Sequence, residues 1–272
     1  MNSLHMWRRD DFEKIGDWCK LREQEMLSVT KIAPDEHFLI RVDGRAFHTF
    51  TRGMDRPFST PFRNAMKSAA IEVLRHLKPQ FVYFQSDEIT YAWTSKSTDG
   101  YTHPFDGKVA KLLSVVASLT SVAFYKGCID AGIDVKDKLP HFDARLVDVL
   151  PSTATIQSIM QPVQWRENDA MRNSIAMVAQ SMFSQTELHG QNSYAQATMA
   201  SDAGFDWDSV TKGYLRGTYL TMGVEERTLT YDELQRIPLK NRPNANTKFN
   251  RSVLKECHFD DWDYVKRSEA LL

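Results

Sequence analysis

Asp87 and Glu88 stand together in "QSDEITYAW", between an apolar run, "FVYF", and an alternating one, while Asp43 closes an earlier apolar run, "HFLIRVD". Carboxylates at strand ends suit a divalent cation, because magnesium takes one or two of them and completes its shell with water and substrate phosphates. Two such ions clamp the attacking and leaving oxygens of phosphoryl or nucleotidyl transfer. Acids gathered on one rim raise each other's pKa by repulsion, so a bound cation gives a physical reason to keep them ionised. Acids at strand ends also cap turns with no catalytic role, and residue type and position by themselves leave both readings open.

Whether these acids meet depends on the elements that carry them. From Asp10 to about Val29, Phe12, Ile15, Trp18, Cys19 and Met26 recur at helical spacing, which predicts an amphipathic opening helix. His37–Asp43 reads as a strand. Ser59 or Thr60 can cap a helix with Pro61 in its first turn, and Phe62, Ala65, Met66, Ala69, Val73, Leu74 and Leu77 follow at helical intervals. "FVYFQS" and "EITYAW" read as strands joined at Asp87, then comes a polar loop, "SKSTDGYTH". "KVAKLLSVVASLTSVAFYK" reads as a second helix and "FDARLVDV" as a strand.

The order strand, helix, strand, strand, helix, strand is the βαββαβ pattern of a ferredoxin-like fold, in the α+β class. A crossover helix returns the chain so that the second strand runs parallel to the first, and their C-terminal ends share a rim. That topology is expected to bring Asp43 and Asp87 together.

Composition removes several alternatives. At 272 residues and 42% hydrophobic the chain can bury a full core. With 34 Lys and Arg against 35 Asp and Glu the net charge is −1, so any nucleic-acid surface is expected to be local. Cys19, Cys128 and Cys257 form no CxxC pair and read as reduced, inert thiols. Apolar runs are short and "MNSLHMWRRD" lacks a signal-peptide core, so no membrane partner and a cytoplasmic location are expected.

The segments "RVDGRAFHTFTRG", "QSDEIT", "FDGKVAKLLSVVAS", "HFDAR", "WRENDAMRNS" and "YLRGT", in that order from about Arg41 to Gly223, resemble the tRNA-His guanylyltransferase superfamily. Within it the chain is most like the tRNA-His guanylyltransferase-like 3′-to-5′ RNA polymerases. The resemblance implies a polymerase-type palm with additional helices, two Mg²⁺ ions per active site, ATP and GTP or other nucleoside triphosphates as substrates, and a homotetramer acting on tRNA. It implies Asp43, the Gly44 carbonyl and Asp87 as metal ligands, with Glu88 completing the catalytic acids. It places Arg45, Ala46, Phe47, His48 and Ser86 at the nucleotide together with Asp43, Gly44 and Asp87, and Lys108, Lys111 and Arg145 near the triphosphate or RNA 5′ end. Arg56, Arg172 and Asn173 are implied to face RNA.

Taken as residues, several of these have plainer readings. Gly44 suits close backbone approach or a simple turn; Phe47 and Phe50 suit the core, and Lys108 and Lys111 a solvated helix edge. The sequence also departs from the family pattern. Where eukaryotic members carry "HINN", this chain has Met171, Arg172, Asn173 and Ser174, and methionine cannot donate a hydrogen bond to a base edge. "RPFS", Arg56 to Ser59, replaces "KPND". Template-dependent repair of 5′-truncated tRNA is therefore expected, ahead of single-G addition to tRNA-His, with a palm-fold nucleotide cyclase and a non-catalytic RNA-binding protein as rivals from other classes. The palm with its N-terminal helix is expected over 1–150, and a helical, RNA-contacting extension packed on it over 151–272. Lys240, Arg242, Lys248 and Arg251 make the middle of that extension's last part basic, for RNA phosphates or for solvent.

Overall fold

The structure is a computed structural model that describes residues 9–95, 102–135, 137–244, 246–259 and 264–271. Six strands, β1 (His37–Gly44), β2 (Phe81–Gln85), β3 (Glu88–Trp93), β4 (Phe142–Leu150), β5 (Thr218–Thr228) and β6 (Lys248–Cys257), form one antiparallel-paired sheet in the order β4-β1-β3-β2-β5-β6. The helices are α1 (Arg9–Glu25), α2 (Phe47–Phe50), α3 (Thr60–Leu77), α4 (Val109–Asp130), α5 (Ile156–Met182), α6 (Gln185–Leu188), α7 (Ser193–Asp202), α8 (Lys212–Leu215), α9 (Tyr231–Arg236) and α10 (Tyr264–Leu271). From β1 to β4 the major elements follow the order expected from sequence, with α3 and α4 as the crossovers. Residues 96–101 of the expected polar loop lie outside the described residues.

The pleat of β1 sorts its side chains between two cores. Phe38, Ile40 and Val42 pack with α3 and α4 in one apolar cluster, while Leu39 joins Val147, Ile159 and Val163 beside α5 in another. α3 forms as its sequence requires. Ser59 is extended ahead of it, Pro61 sits in its first turn where no N–H is needed, and one face buries Phe62, Ala65, Met66, Ala69, Val73, Leu74 and Leu77. Lys78, left-handed at φ 53°, ends the helix and starts the chain toward β2.

Two expectations need correcting. The apolar runs of the sequence look too short for a bilayer, yet α4 as a whole has the length and composition to cross one. Ser, Thr and Gly interrupt its apolar residues without stopping the helix, and Val109, Leu112, Val116 and Phe124 are buried in the core it shares with α3 and the sheet. The second correction concerns residues 151–272, which are not simply a helical extension. They supply β5, paired with β2 along Phe81–Phe84, and β6, paired with β5 over its whole length. The basic stretch around Lys248 and Arg251 belongs to this hairpin, where Lys248 pairs with Glu226 at 2.5 Å and Arg251 lies 3.7 Å from Glu233.

Beneath this side of the sheet lies a buried polar cluster. Glu167 of α5 accepts from Arg267 of α10 at 2.9 Å and from the Tyr219 hydroxyl at 2.9 Å, and Arg216 lies 3.4 Å from its other oxygen. Tyr83 donates to the Arg216 carbonyl at 2.8 Å. Gly217 follows at φ 79°, and a Cβ there would come within 2.5 Å of the Tyr83 hydroxyl, which explains the glycine of "YLRGT".

Candidate active site at the ends of β1 and β2

β1 and β2 are each antiparallel to β3, and therefore parallel to one another. Asp43 is the penultimate residue of β1, and Asp87 follows β2 in a two-residue turn that leads to Glu88. Ser86 makes that turn with φ 44°. The Gly44 amide donates to the Asp87 carbonyl at 3.0 Å, so backbone bonding ties the two strand ends together. Asp43 and Asp87 thus share one rim.

The electrostatics agree with that placement. Burial raises the Asp87 pKa, and the Asp43 charge raises it further; hydrogen bonds from its own backbone and Ser86, with the Arg166 charge, oppose the rise. A cation would reverse both leading effects. Glu88 is registered opposite Asp43, and burial is the largest cause of a pKa pushed up to about 7, with Arg166 and Arg41 lowering it and Asp43 raising it. Its carboxylate already has a partner, since Arg166 Nε of α5 lies 2.5 Å from its Oε1. The expected cluster of three catalytic acids is therefore two acids on the rim and a third engaged by an arginine.

Gly44 is required for a reason that sequence reasoning did not reach. An added Cβ would come within 2.5 Å of the Phe47 ring. Phe47 is buried among Phe50, Phe124 and Phe142, with ring centroids 5.0–5.3 Å away. Ala46, left-handed at φ 57°, turns the chain from β1 into α2, and the Arg45 amide donates to the His141 carbonyl at 3.0 Å. Phe47 and Phe50 are core residues, as their type suggests.

Beside Asp87 opens a cleft of about 360 Å³. Phe47, His48, Ser86 and Asp87 border it, as do Arg56 and Asn173, which the resemblance implies to face RNA. Its far wall is aromatic: Phe58 stacks on Tyr214 with centroids 4.7 Å apart, and the Arg63 guanidinium lies 5.5 Å from both the Tyr214 and Phe84 rings. Sequence reasoning missed Phe58, Arg63 and Tyr214. Arg63 stands one residue past Phe62 in a helix read for its apolar face, and Tyr214 opens "YLRGT", a segment that contributes to the resemblance with no role for its tyrosine.

Other candidates scatter. Arg145 donates to Asp143 at 2.7 Å and is registered beside Arg41, on the rim with Asp43. Arg172 is exposed and donates to Asp169 at 2.5 Å. Lys108 and Lys111 lie elsewhere. Lys108 precedes α4 and bridges to Lys31, whereas the rim is reached at Ser121, whose hydroxyl accepts from the Phe142 amide opposite Gly44. Ten to thirteen residues of helix separate them, about 15 to 20 Å. Within one chain these lysines do not meet Asp87. Lys111 instead lies 4.9 Å from the Phe105 ring.

A family model described as tRNA-His guanylyltransferase matches residues 19–150, which carry both acids. A tRNA-His guanylyltransferase of Schizosaccharomyces pombe is 30% identical over 148 residues, 53% of each chain. A solved bacterial tRNA-His guanylyltransferase-like protein in complex with ATP superposes with a TM-score of 0.64 at 27% identity, covering 76% of this chain and 88% of its own. Residues 19–150 are thus similar to the tRNA-His guanylyltransferases. An uncharacterised protein of Acanthamoeba polyphaga mimivirus shares 36% identity over 118 residues, 41% of this chain and 40% of its own. The chain spans about half the length of the curated relatives it matches. A bacterial relative solved with GTP, 24% identical, has the same fold at a TM-score of 0.62 over 94% of this chain. The mixed helix and antiparallel-sheet architecture is that of these guanylyltransferase-like structures.

Proposed function

We propose that the chain is a template-dependent 3′-to-5′ nucleotidyltransferase that adds nucleotides to the 5′ end of truncated tRNA, working on a ferredoxin-like, polymerase-type palm and as a homotetramer. The observation that carries this reading is the meeting of Asp43 and Asp87 on one rim, where Asp87 borders a cleft of about 360 Å³. Relatives solved with ATP and with GTP support a nucleoside triphosphate as the ligand.

The rim suits magnesium. Among the described residues no group of three or more His, Cys, Asp or Glu side chains is placed to hold a metal. Two carboxylates and the Gly44 carbonyl are a donor set of hard oxygens that leaves room for water and phosphate, as magnesium requires. When bound, two such ions would favour ionisation of an attacking hydroxyl and neutralise charge on the triphosphate. The protein's own part is placement. Arg45 and Ser86 flank the two acids and can donate to phosphate oxygens. The stacked Phe58 and Tyr214, with Met54 and Met177, wall the cleft against water and offer a face to a base. A 5′-monophosphate attacks the α-phosphorus of ATP and releases pyrophosphate, giving an adenylylated end, and the 3′-hydroxyl of the incoming nucleotide then attacks the RNA 5′-phosphorus, loses its proton and displaces AMP. Base pairing across the acceptor stem selects the nucleotide, which leaves the protein to read RNA shape and backbone.

Single-G addition to tRNA-His is the second reading, favoured by the family description and the fission-yeast relative. Against it, Met171 is buried and reaches no base edge. One experiment separates the two. The protein is given Mg²⁺, ATP, all four nucleotides, several tRNAs lacking their first 5′ residue, and full-length tRNA-His. Template-matched extension of several tRNAs supports repair; extension of tRNA-His alone supports single-G addition. Incorporation into no RNA, with a cyclic product from ATP or GTP, overturns both.

A further inference from the structure

Glu88 faces the same side of the sheet as Asp43 and adjoins Asp87, so by position it is a third cation ligand. Its surroundings give it another partner. Arg166 Nε lies 2.5 Å from Glu88 Oε1, Arg166 Nη2 donates to Asp169 at 2.9 Å, and its guanidinium sits 4.7 Å from the Trp165 ring. That guanidinium is fixed on three sides by its own helix and by Glu88. Glu88 is 6% exposed, and a buried carboxylate held by a fixed arginine cannot swing to a cation without leaving the arginine uncompensated. A second pair repeats the arrangement one step deeper, with Arg41 Nη1 3.2 Å from Glu23 and its guanidinium 6.0 Å from the same Trp165 ring.

We propose that Arg166 is a positioning residue that holds Glu88 out of the cation site, leaving Asp43 and Asp87 as its carboxylate ligands. The proposal rests on the cation site read above. Arg166 touches no substrate in this role. It neutralises Glu88, so the rim presents two negative charges instead of three, and it anchors the first residue of β3, from which the Asp87 turn hangs.

Mn²⁺ binding to the full chain, followed by electron paramagnetic resonance, tests this without RNA or turnover, and thermal melting checks that each variant folds. Glu88→Gln keeps an oxygen for Arg166 and is expected to hold Mn²⁺ within about twofold of the wild type, whereas Asp87→Asn loses about tenfold or more. Arg166→Met frees a buried carboxylate beside the site and is expected to shift Mn²⁺ affinity, and adding Glu88→Gln to it brings the affinity back toward that of the wild type, because the uncompensated charge is then gone. If Glu88→Gln loses Mn²⁺ as severely as Asp87→Asn, or moves Arg166→Met further from the wild type, Glu88 is a ligand and the proposal is overturned. Should Arg166→Met not fold, the comparison of Glu88→Gln with Asp87→Asn still decides. If Asp43→Asn and Asp87→Asn both bind Mn²⁺ as the wild type does, the cation site itself is refuted, and the proposal with it.

Discussion

Asp43 and Glu88 face one another across β1 and β3, but Glu88 is held by Arg166 while Asp43 stands half-buried on the open rim beside Asp87. Register alone would have made them equivalent. The difference comes from α5, whose Arg166 arrives from far along the sequence.

Asp87 is expected to trade stability for function. Its pKa is raised in the fold, by burial first and by Asp43 second. The folded chain therefore holds that proton more tightly than the unfolded one. The resulting stability is present below the ordinary carboxylate value of 3.8 and is lost as pH rises through the higher folded value. In EDTA, Asp87→Asn should melt no lower than the wild type at pH 7 and show a flatter pH dependence, while tRNA extension falls about a hundredfold or more. A wild-type rate in Asp87→Asn would refute the assignment.

Gly44→Ala should destabilise the fold by roughly 1–3 kcal/mol, because the new methyl meets the Phe47 ring. Urea unfolding measures this. Shrinking the ring in Gly44→Ala/Phe47→Leu should recover part of the loss relative to the sum of the single changes, since the two sites touch.

Arg267→Met leaves Glu167 with less compensation in a buried site and should cost roughly 3–5 kcal/mol. Replacing both partners, as in Arg267→Met/Glu167→Leu, should cost less than Arg267→Met alone. Urea midpoints for the set decide it, and a double variant weaker than the single would show that the pair is not the source of the effect.

Cys19 and Cys128 are fully buried, and burial pushes both thiols up to about 12. The thiolate is the reactive form. Native protein at pH 8 should react with Ellman's reagent at Cys257 at most, the half-buried thiol, and all three should react once unfolded. Rapid native labelling of Cys19 would contradict its burial on the inner face of α1.

Much of the fold from β1 to β4 was legible because its signals are local. Pro61 and the apolar spacing of α3, the alternation in "EITYAW" and the paired acids after "FVYFQ" each depend on residues within a turn or two of one another. Strand order then followed from the connection rules, and with it the meeting of Asp43 and Asp87. What stayed hidden depends on distant chain. Nothing near Glu88 announces Arg166, and nothing near Phe47 explains Gly44 until the aromatic cluster closes. Lys108 and Lys111 illustrate the opposite failure. Their spacing marks a shared helix face, but periodicity is blind to which end of the helix meets the rim. The sequence beyond about Glu225 reads as polar because β6 and the last part of β5 are largely exposed and carry few of the apolar alternations that mark a half-buried strand, whereas the first four residues of β5 are buried.

The cleft wall formed by Tyr214 and Gly213 is joined to a floor laid down at Phe47 and Asp87. During synthesis the floor leaves the ribosome more than a hundred residues before the wall. A nascent chain paused in α5 would already own both rim carboxylates yet have no enclosure for a base, so competence to grip a nucleotide must arrive late and abruptly, once β5 has zipped onto β2.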